Sequence, residues 1–436
     1  MDVYNFVSLA GIFILLVFAW SFSPDKRNIN WKVVIWGIAI QVFIAVFIFI
    51  VPVGEKVFLI INGVVVKGLD SAMAGTKFLF GRLSLAPGMT GANGETSLGF
   101  ILAFQALPTI VFFSAMMSIL YFCGIMPKII GLFSRVFTRL MKISGAESLV
   151  ASSNIFVGVE SALTAKPYLG TMTSSELCTV LTCGMATVAS NILAVYVFSL
   201  KTHFPTIAGH LISASLLSVP AAIVMSKLIM PESEVPVTIS GNVKAHYEKE
   251  NNLFESIING ANSGIKMIFG IAALLLAVLG LVALFDLFLG GIGSKINVFF
   301  NCQFDWSLKN ILGYIFYPFT LIIGVPVEDA GIISQIIGER TILTEVVAYQ
   351  DLAGILKEGL LAHPRSAVLA TYALCGFAHI ASLAIFIGGI VAIVPEKTRI
   401  LGSLGLRALL GATLACLMTA CVAGVFFTGK TLLFSL

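Results

Sequence analysis

Eight stretches of about 20 predominantly apolar residues, the length a bilayer core demands, dominate this sequence. They run near 3–22, 33–52, 99–124, 175–200, 206–229, 265–290, 366–394 and 402–428. A chain with runs of that length has to meet lipid over most of its surface. Composition agrees: of 436 residues 58% are hydrophobic and 11% charged, whereas a soluble domain carries about 25% charged residues. A disordered chain, a nucleic-acid binder and an ordinary cytosolic enzyme are excluded. The surplus of 26 Lys and Arg over 22 Asp and Glu gives no reason to expect a polyanionic partner. The expected class is an all-α polytopic membrane protein whose surroundings are the lipid bilayer.

Charge placement predicts the topology. The first run follows an acidic Asp2 and precedes Lys26, Arg27 and Lys32, so it is read as a spanning helix, not a cleavable leader, which would carry its positive charge first. Lys128, Arg135, Arg139 and Lys142 follow the third run. Lys227, Lys244 and Lys249 follow the fifth, and Lys397 with Arg399 precede the last. Under strict alternation all of these fall on the side of Lys26, the cytoplasmic side by the positive-inside rule, with both termini outside. The seven cysteines (123, 178, 183, 302, 375, 416, 421) show no CxxC or Cys/His spacing. They are read as small packing residues, with no metal and no disulfide framework.

Three stretches do not fit simple spans. Residues 54–95 mix Lys56, Lys67, Asp70, Lys77 and Arg82 with apolar residues, the pattern of an amphipathic helix lying along the interface. Residues 140–172 and 308–350 are apolar but interrupted by Gly, Pro and carboxylates. Each enters and leaves on one face, as a re-entrant hairpin does. Such backbone survives at membrane depth only where protein or a watery cavity covers it. An octamer then repeats: Cys183-Gly-Met-Ala-Thr187-Val-Ala-Ser190 and Cys375-Gly-Phe377-Ala-His379-Ile-Ala-Ser382 share the pattern C-G-x-A-x-x-A-S. Each copy follows one hairpin, and the two spans cross in opposite directions, as in an inverted-topology repeat. The expected division is a peripheral part with the interfacial helix (1–95), a first repeat with hairpin 1 (96–230), a cytoplasmic linker (231–252) and a second repeat with hairpin 2 (253–436).

Ionisable groups at membrane depth are functional candidates by default. In the first hairpin that group is Glu160. In the second, Glu328 and Asp329 are expected to cap a half-helix N-terminus, while Glu345, with no basic residue within four positions, is expected to contact substrate. Thr187 with His379, and Ser190 with Ser382, occupy equivalent repeat positions. Their hydroxyls and nearby carbonyls suit a monovalent cation in an unwound helix. Phe377 can stack on a planar ring, although with 34 Phe in the chain a packing role is the default. No HExxH, GxSxG or His/Asp cluster is present, so an intramembrane enzyme is not expected.

The segments Phe104-Gln-Ala-Leu-Pro108, Asn154-Ile-Phe-Val-Gly158, Glu345-Val-Val-Ala-Tyr349 and Cys375-Gly-Phe377-Ala resemble the concentrative nucleoside transporter family in order and spacing, over nearly the whole chain. The resemblance implies a homotrimer of protomers with eight spans, an interfacial helix and two hairpins, in a bacterial inner membrane. It implies symport of a nucleoside with a cation and no other cofactor. It implies substrate contacts at Val159, Glu160, Ser161, Ile192, Glu345, Phe377, His379 and Ser382, and a sodium site from Asn154, Val157, Thr187 and Val188. Two departures stand out. His379 replaces the family's Asn, and Gly158-Val-Glu160-Ser-Ala-Leu163 replaces Gly-Gln-[Thr/Ser]-Glu-Ala-Pro, so the sugar half of the site is kept and the base half rebuilt. Sodium is the expected coupling ion; a proton carried by His379 or Glu160 is the alternative, as is a modified nucleoside or another small polar solute as cargo.

Overall fold

The computed structural model describes residues 2–91, 94–239, 243, 245–246, 250–301 and 303–428, apart from the Val159 side chain. Lys244, Lys249 and Cys302 therefore lie outside the described residues. In chain order the helices are α1 Val3–Ser21, α2 Trp31–Phe49, α3 Pro52–Phe80, the short α4 Leu102–Gln105, α5 Thr109–Phe122, α6 Ile125–Met141, α7 Gly145–Ser153, α8 Ser174–Ala186, α9 Ser190–Leu200, α10 Ile207–Ile229, α11 Leu253–Phe300, α12 Leu308–Ile322, α13 Val327–Arg340, α14 Glu345–Glu358, α15 Pro364–Leu374, α16 Ile380–Ile393 and α17 Thr398–Phe426. Among the described residues the one β contact is the isolated pair Thr90–Thr96.

Among the described residues eight segments are long and apolar enough to cross a membrane; seven coincide with predicted spans and the other is Pro52–Ser84. The predicted span over 366–394 is instead two helices, α15 and α16, parted at 375–379, and the span over 175–200 is parted at 187–189. Length and hydropathy would let α3 cross, but its charged residues Lys56, Lys67, Asp70 and Lys77 are exposed and spread along it, as befits an interfacial helix. The basic stretch after the third span is not a loop. It forms α6, which buries Met126, Ile130, Phe137 and Met141 on one face and leaves Lys128, Arg135 and Arg139 exposed.

Burial divides the bundle into centre and periphery. The α8–α9 and α10 segments are 89% buried and the α17 segment 78%, against 11% for α11. At 1.5 Å per residue the 48 residues of α11 span about 72 Å, more than twice a hydrocarbon core. Lipid tails are as apolar as side chains, so helix contacts in a membrane rely on close backbone approach through small residues. Gly260 and Gly264 supply it here: a Cβ on Gly260 would sit 2.8 Å from the Ala115 Cα, and one on Gly264 2.8 Å from the Val111 Cα, both on α5.

Both hairpins are present. Hairpin 1 descends through α7 and returns as the 3-10 helix Val159–Ala165. Hairpin 2 is α13 and α14, over 327–358, so it starts later than expected; the first part of the predicted stretch is the separate helix α12, packed against α13. The turn between α12 and α13 passes through Gly324 at φ +92°, where a Cβ would meet the Ser8 Oγ and the Tyr4 carbonyl. Each hairpin tip is tied to the helix break that follows it. The Ser190 N–H donates to the Phe156 carbonyl at 3.0 Å, and the Ile380 N–H to the Thr341 carbonyl at 3.1 Å. Ser190 and Ile380 are the first residues of α9 and α16, so the two repeats use the same contact.

Candidate functional site

Hairpin 1 ends its descent at Asn154, which is fully buried. The Asn154 Nδ2 donates to the Val150 carbonyl at 3.1 Å, and its Oδ1 accepts the Ser161 hydroxyl at 2.7 Å. Ser161 is 1% exposed and so braces Asn154 from inside the hairpin. Across the tip, Thr187 is extended at φ −117°, ψ 165°, and its hydroxyl donates to the Cys183 carbonyl at 2.9 Å. The carbonyls of Val157 and Val188 accept no hydrogen bond from the described residues. Oxygens of these kinds, carbonyl, amide and hydroxyl, are hard and neutral, the chemistry a monovalent cation takes. Among the described residues no group of three or more His, Cys, Asp or Glu could hold a metal ion.

A cavity of about 510 Å³ opens beside this tip, within the range of small-molecule sites. Val157, Glu160, Thr187, Val188, Ile192 and Phe377 line it, together with Met267, Ile271 and Leu274 of α11. Six of the predicted site residues therefore share one wall. Five others do not line it: Asn154 and Ser161 are buried within hairpin 1. Glu345, His379 and Ser382 are 0% exposed and lie one layer behind, and the Val159 side chain is outside the described residues.

That second layer is closely specified. Glu345 is the first residue of α14, after the N-cap Thr344. Its Oε1 accepts the Tyr196 hydroxyl at 2.5 Å and its Oε2 lies 3.1 Å from the His379 Nε2. The His379 Nδ1 accepts the Ser382 N–H at 3.1 Å as the N-cap of α16. The Ser382 hydroxyl closes the cap by taking the His379 N–H at 3.2 Å and donating to the Phe377 carbonyl. Ser382 thus shapes the helix break. The expected capping carboxylate is Asp329, but it serves another helix. It accepts the Ala362 and His363 N–H groups at 2.8 and 3.0 Å, at the start of α15, whereas Glu328 is exposed.

Comparison with known proteins agrees with this architecture. Residues 10–83 and 210–424 match the N-terminal and C-terminal profiles of the Na+ dependent nucleoside transporters, and residues 103–203 match the "Gate: Nucleoside recognition" profile. The nucleoside permease NupC of Helicobacter pylori is 36% identical over 422 residues, covering 96% of this chain and 97% of that one. This chain belongs to the concentrative nucleoside transporter family. It is a multi-pass membrane transporter family, not an enzyme family. Mouse solute carrier family 28 member 3 is also 36% identical, over 435 residues, and the chain spans 59% of the length of that relative. Among solved structures, CNTnw in an inward-facing substrate-bound state superposes with TM-score 0.84 at 31% identity, covering 97% of this chain and 98% of that one. An intermediate state of CNTnw gives 0.86, so the overall fold does not single out one state.

Several residues of this family member carried no signal in the sequence. Tyr196 lines the cavity, bonds Glu345 and stacks on Tyr349 with ring centroids 4.5 Å apart; its place within an apolar run hid it. Lys227, expected among loop charges, is instead 6% exposed, 2.7 Å from Glu147 and 2.9 Å from the Ser175 hydroxyl. The buried Arg365 donates to Asn5, Ser8 and the carbonyls of Tyr4, Gly324 and Gly424, joining α1, α15 and α17. Cys123, expected in the packing, is exposed; the other described cysteines are buried.

Proposed function

We propose that this chain is a sodium-coupled nucleoside importer of a bacterial plasma membrane, working by alternating access as a homotrimer. The observation that carries it is that Val157 and Val188, whose carbonyls accept no hydrogen bond from the described residues, line the same 510 Å³ cavity as Phe377. Cation and aromatic-ringed cargo then bind to the same two elements, the hairpin 1 tip and the broken helix, and each stabilises the arrangement the other requires. Glu345 is the ribose anchor in this proposal. The cargo's hydroxyls take the place of the Tyr196 hydroxyl and occupy the second, unpartnered oxygen, so the carboxylate gains a pair of donors. Sodium is favoured over a proton because the matching family profiles are those of Na+ dependent nucleoside transporters. The long α11 exposes Phe254, Phe269, Leu276 and Leu287 by more than 70% each, an apolar face suited to lipid and to neighbouring protomers. Labelled uridine and adenosine in proteoliposomes, with and without a sodium gradient, test the proposal. Sodium-dependent accumulation is expected; no accumulation under a sodium or a proton gradient would refute it.

A further inference from the structure

Hairpin 2 carries a basic residue at its tip that the site described above does not use. Arg340 is the last residue of α13, and its side chain is fully buried. The Nη1 donates to the Ala373 carbonyl at 2.6 Å, while Nε and Nη2 find no hydrogen-bond partner among the described residues. No carboxylate is therefore bonded to this guanidinium. A buried charge needs compensation, and the end of α15 offers it. The last carbonyls of a helix lack intrahelical partners and form its negative pole, equivalent to about half an elementary charge. At α15 the Thr371 carbonyl takes the Tyr349 hydroxyl at 2.9 Å, Tyr372 takes the Cys375 N–H at 3.3 Å and Leu374 the Gly376 N–H at 2.8 Å. Ala373 is left to Arg340. The last turn of α15 has no basic residue of its own, nor has that of α8, which ends against it. A Cβ on Gly376 would lie 3.0 and 3.1 Å from the Ala186 and Met185 carbonyls. Two negative helix ends thus abut at the centre of the bundle.

We infer that Arg340 is a positioning residue for nucleoside binding: it holds the carbonyl end of α15 and so fixes the unwound segment that presents Phe377 to the cavity. This rests on the nucleoside transport proposed above. Two neighbouring residues of the hairpin tip grip both ends of that segment. Arg340 takes the Ala373 carbonyl before Phe377, and the Thr341 carbonyl takes the Ile380 N–H after it. Phe377 lies between these two anchors and lines the cavity. The inverted repeat supplies the comparison. At the end of α8 the proposed sodium is the compensating cation, and it arrives with the cargo. At the end of α15 the cation is a side chain that stays charged, so the second break is set before the nucleoside enters, and less ordering is left for binding to bring about.

The test uses the full-length protein in proteoliposomes, with KM and Vmax measured at saturating sodium for uridine or adenosine, whichever the wild type accumulates. Arg340→Met keeps an unbranched side chain but removes the donors and the charge. Its KM should rise at least about 10-fold, as for the loss of one charge-assisted hydrogen bond, with Vmax changed far less. Arg340→Lys keeps a cation, but a buried ammonium gives up its proton more readily than a guanidinium. The ratio of its KM to the wild-type KM should therefore climb about 10-fold between about pH 6 and pH 9. A role in folding alone would lower the yield of protein and leave both the KM and that ratio unmoved. A wild-type KM in Arg340→Met, or a ratio for Arg340→Lys that does not change with pH, overturns the inference. Where Arg340→Met does not fold, the Arg340→Lys ratio decides. No nucleoside uptake by the wild type would overturn the transport proposal and this inference with it, whereas normal uptake with an unmoved KM overturns this inference alone.

Discussion

Glu345, Thr187 and Lys227 each carry a prediction at the scale of one side chain. Glu345→Gln keeps the shape and the neighbours Tyr196 and His379 but removes the charge that strengthens the hydrogen bond from Tyr196 and those proposed from the cargo. A hydrogen bond to a charged group contributes about 1.5–3 kcal/mol, so nucleoside uptake should fall by at least about 10-fold with the thermal midpoint little changed; near-normal uptake would show that Glu345 does not bind cargo. Thr187→Val removes one proposed ligand oxygen. The sodium concentration for half-maximal uptake should rise about 10-fold, the effect of losing about 1.4 kcal/mol, while uptake at saturating sodium persists. Lys227→Met leaves Glu147, whose side chain is 1% exposed, without the cation that faces it 2.7 Å away. Removing one partner of a buried pair costs about 3–5 kcal/mol, so purified protein should unfold at a clearly lower temperature, and adding Glu147→Gln should restore part of the loss.

At the scale of elements, the decisive contacts are the two backbone bonds that join hairpin tips to helix breaks. Ser190 and Ile380 occupy the first position of α9 and α16, where a proline fits a helix and its missing N–H is otherwise tolerated. Ser190→Pro should leave α9 intact yet remove the donor to Phe156, weakening apparent sodium affinity with little change in thermal stability. Ile380→Pro should act on hairpin 2 and nucleoside affinity in the same way. Loss of folded protein from both variants would show that these bonds are structural anchors of the whole bundle. Much at this scale was legible beforehand. The repeated octamers mark both breaks, because small residues let the half-helices abut: a Cβ on Gly376 would lie 3.0 Å from the Ala186 carbonyl. The octamers are not in register with the breaks, however. α9 starts at Ser190, the last residue of its octamer, and α16 at Ile380, the sixth of its own. Periodicity read 366–394 as one span because apolar content continues across the gap, and nothing local reports that five residues there leave the helix. α6 was missed for the opposite reason, since its basic residues mask a one-sided apolar face.

For the whole molecule, the sequence pattern of spans, hairpins and opposed repeats matches the architecture, and the cavity and the proposed cation set draw on residues up to 223 positions apart, from Asn154 to Phe377. What could not be read was depth. Glu345, His379 and Ser382 have the residue types of a binding site, but whether a side chain faces a cavity or lies behind its wall is set by tertiary packing, here by Tyr196 reaching across from α9. The central claim is that a sodium gradient drives nucleosides inward through this arrangement. It is tested most directly by nucleoside accumulation in proteoliposomes at clamped membrane potential, with the sodium and pH gradients imposed independently. Accumulation should follow the sodium gradient, vanish when sodium is equal on both sides, and ignore the pH gradient. Accumulation that follows the pH gradient at equal sodium, or none under either gradient, would contradict it.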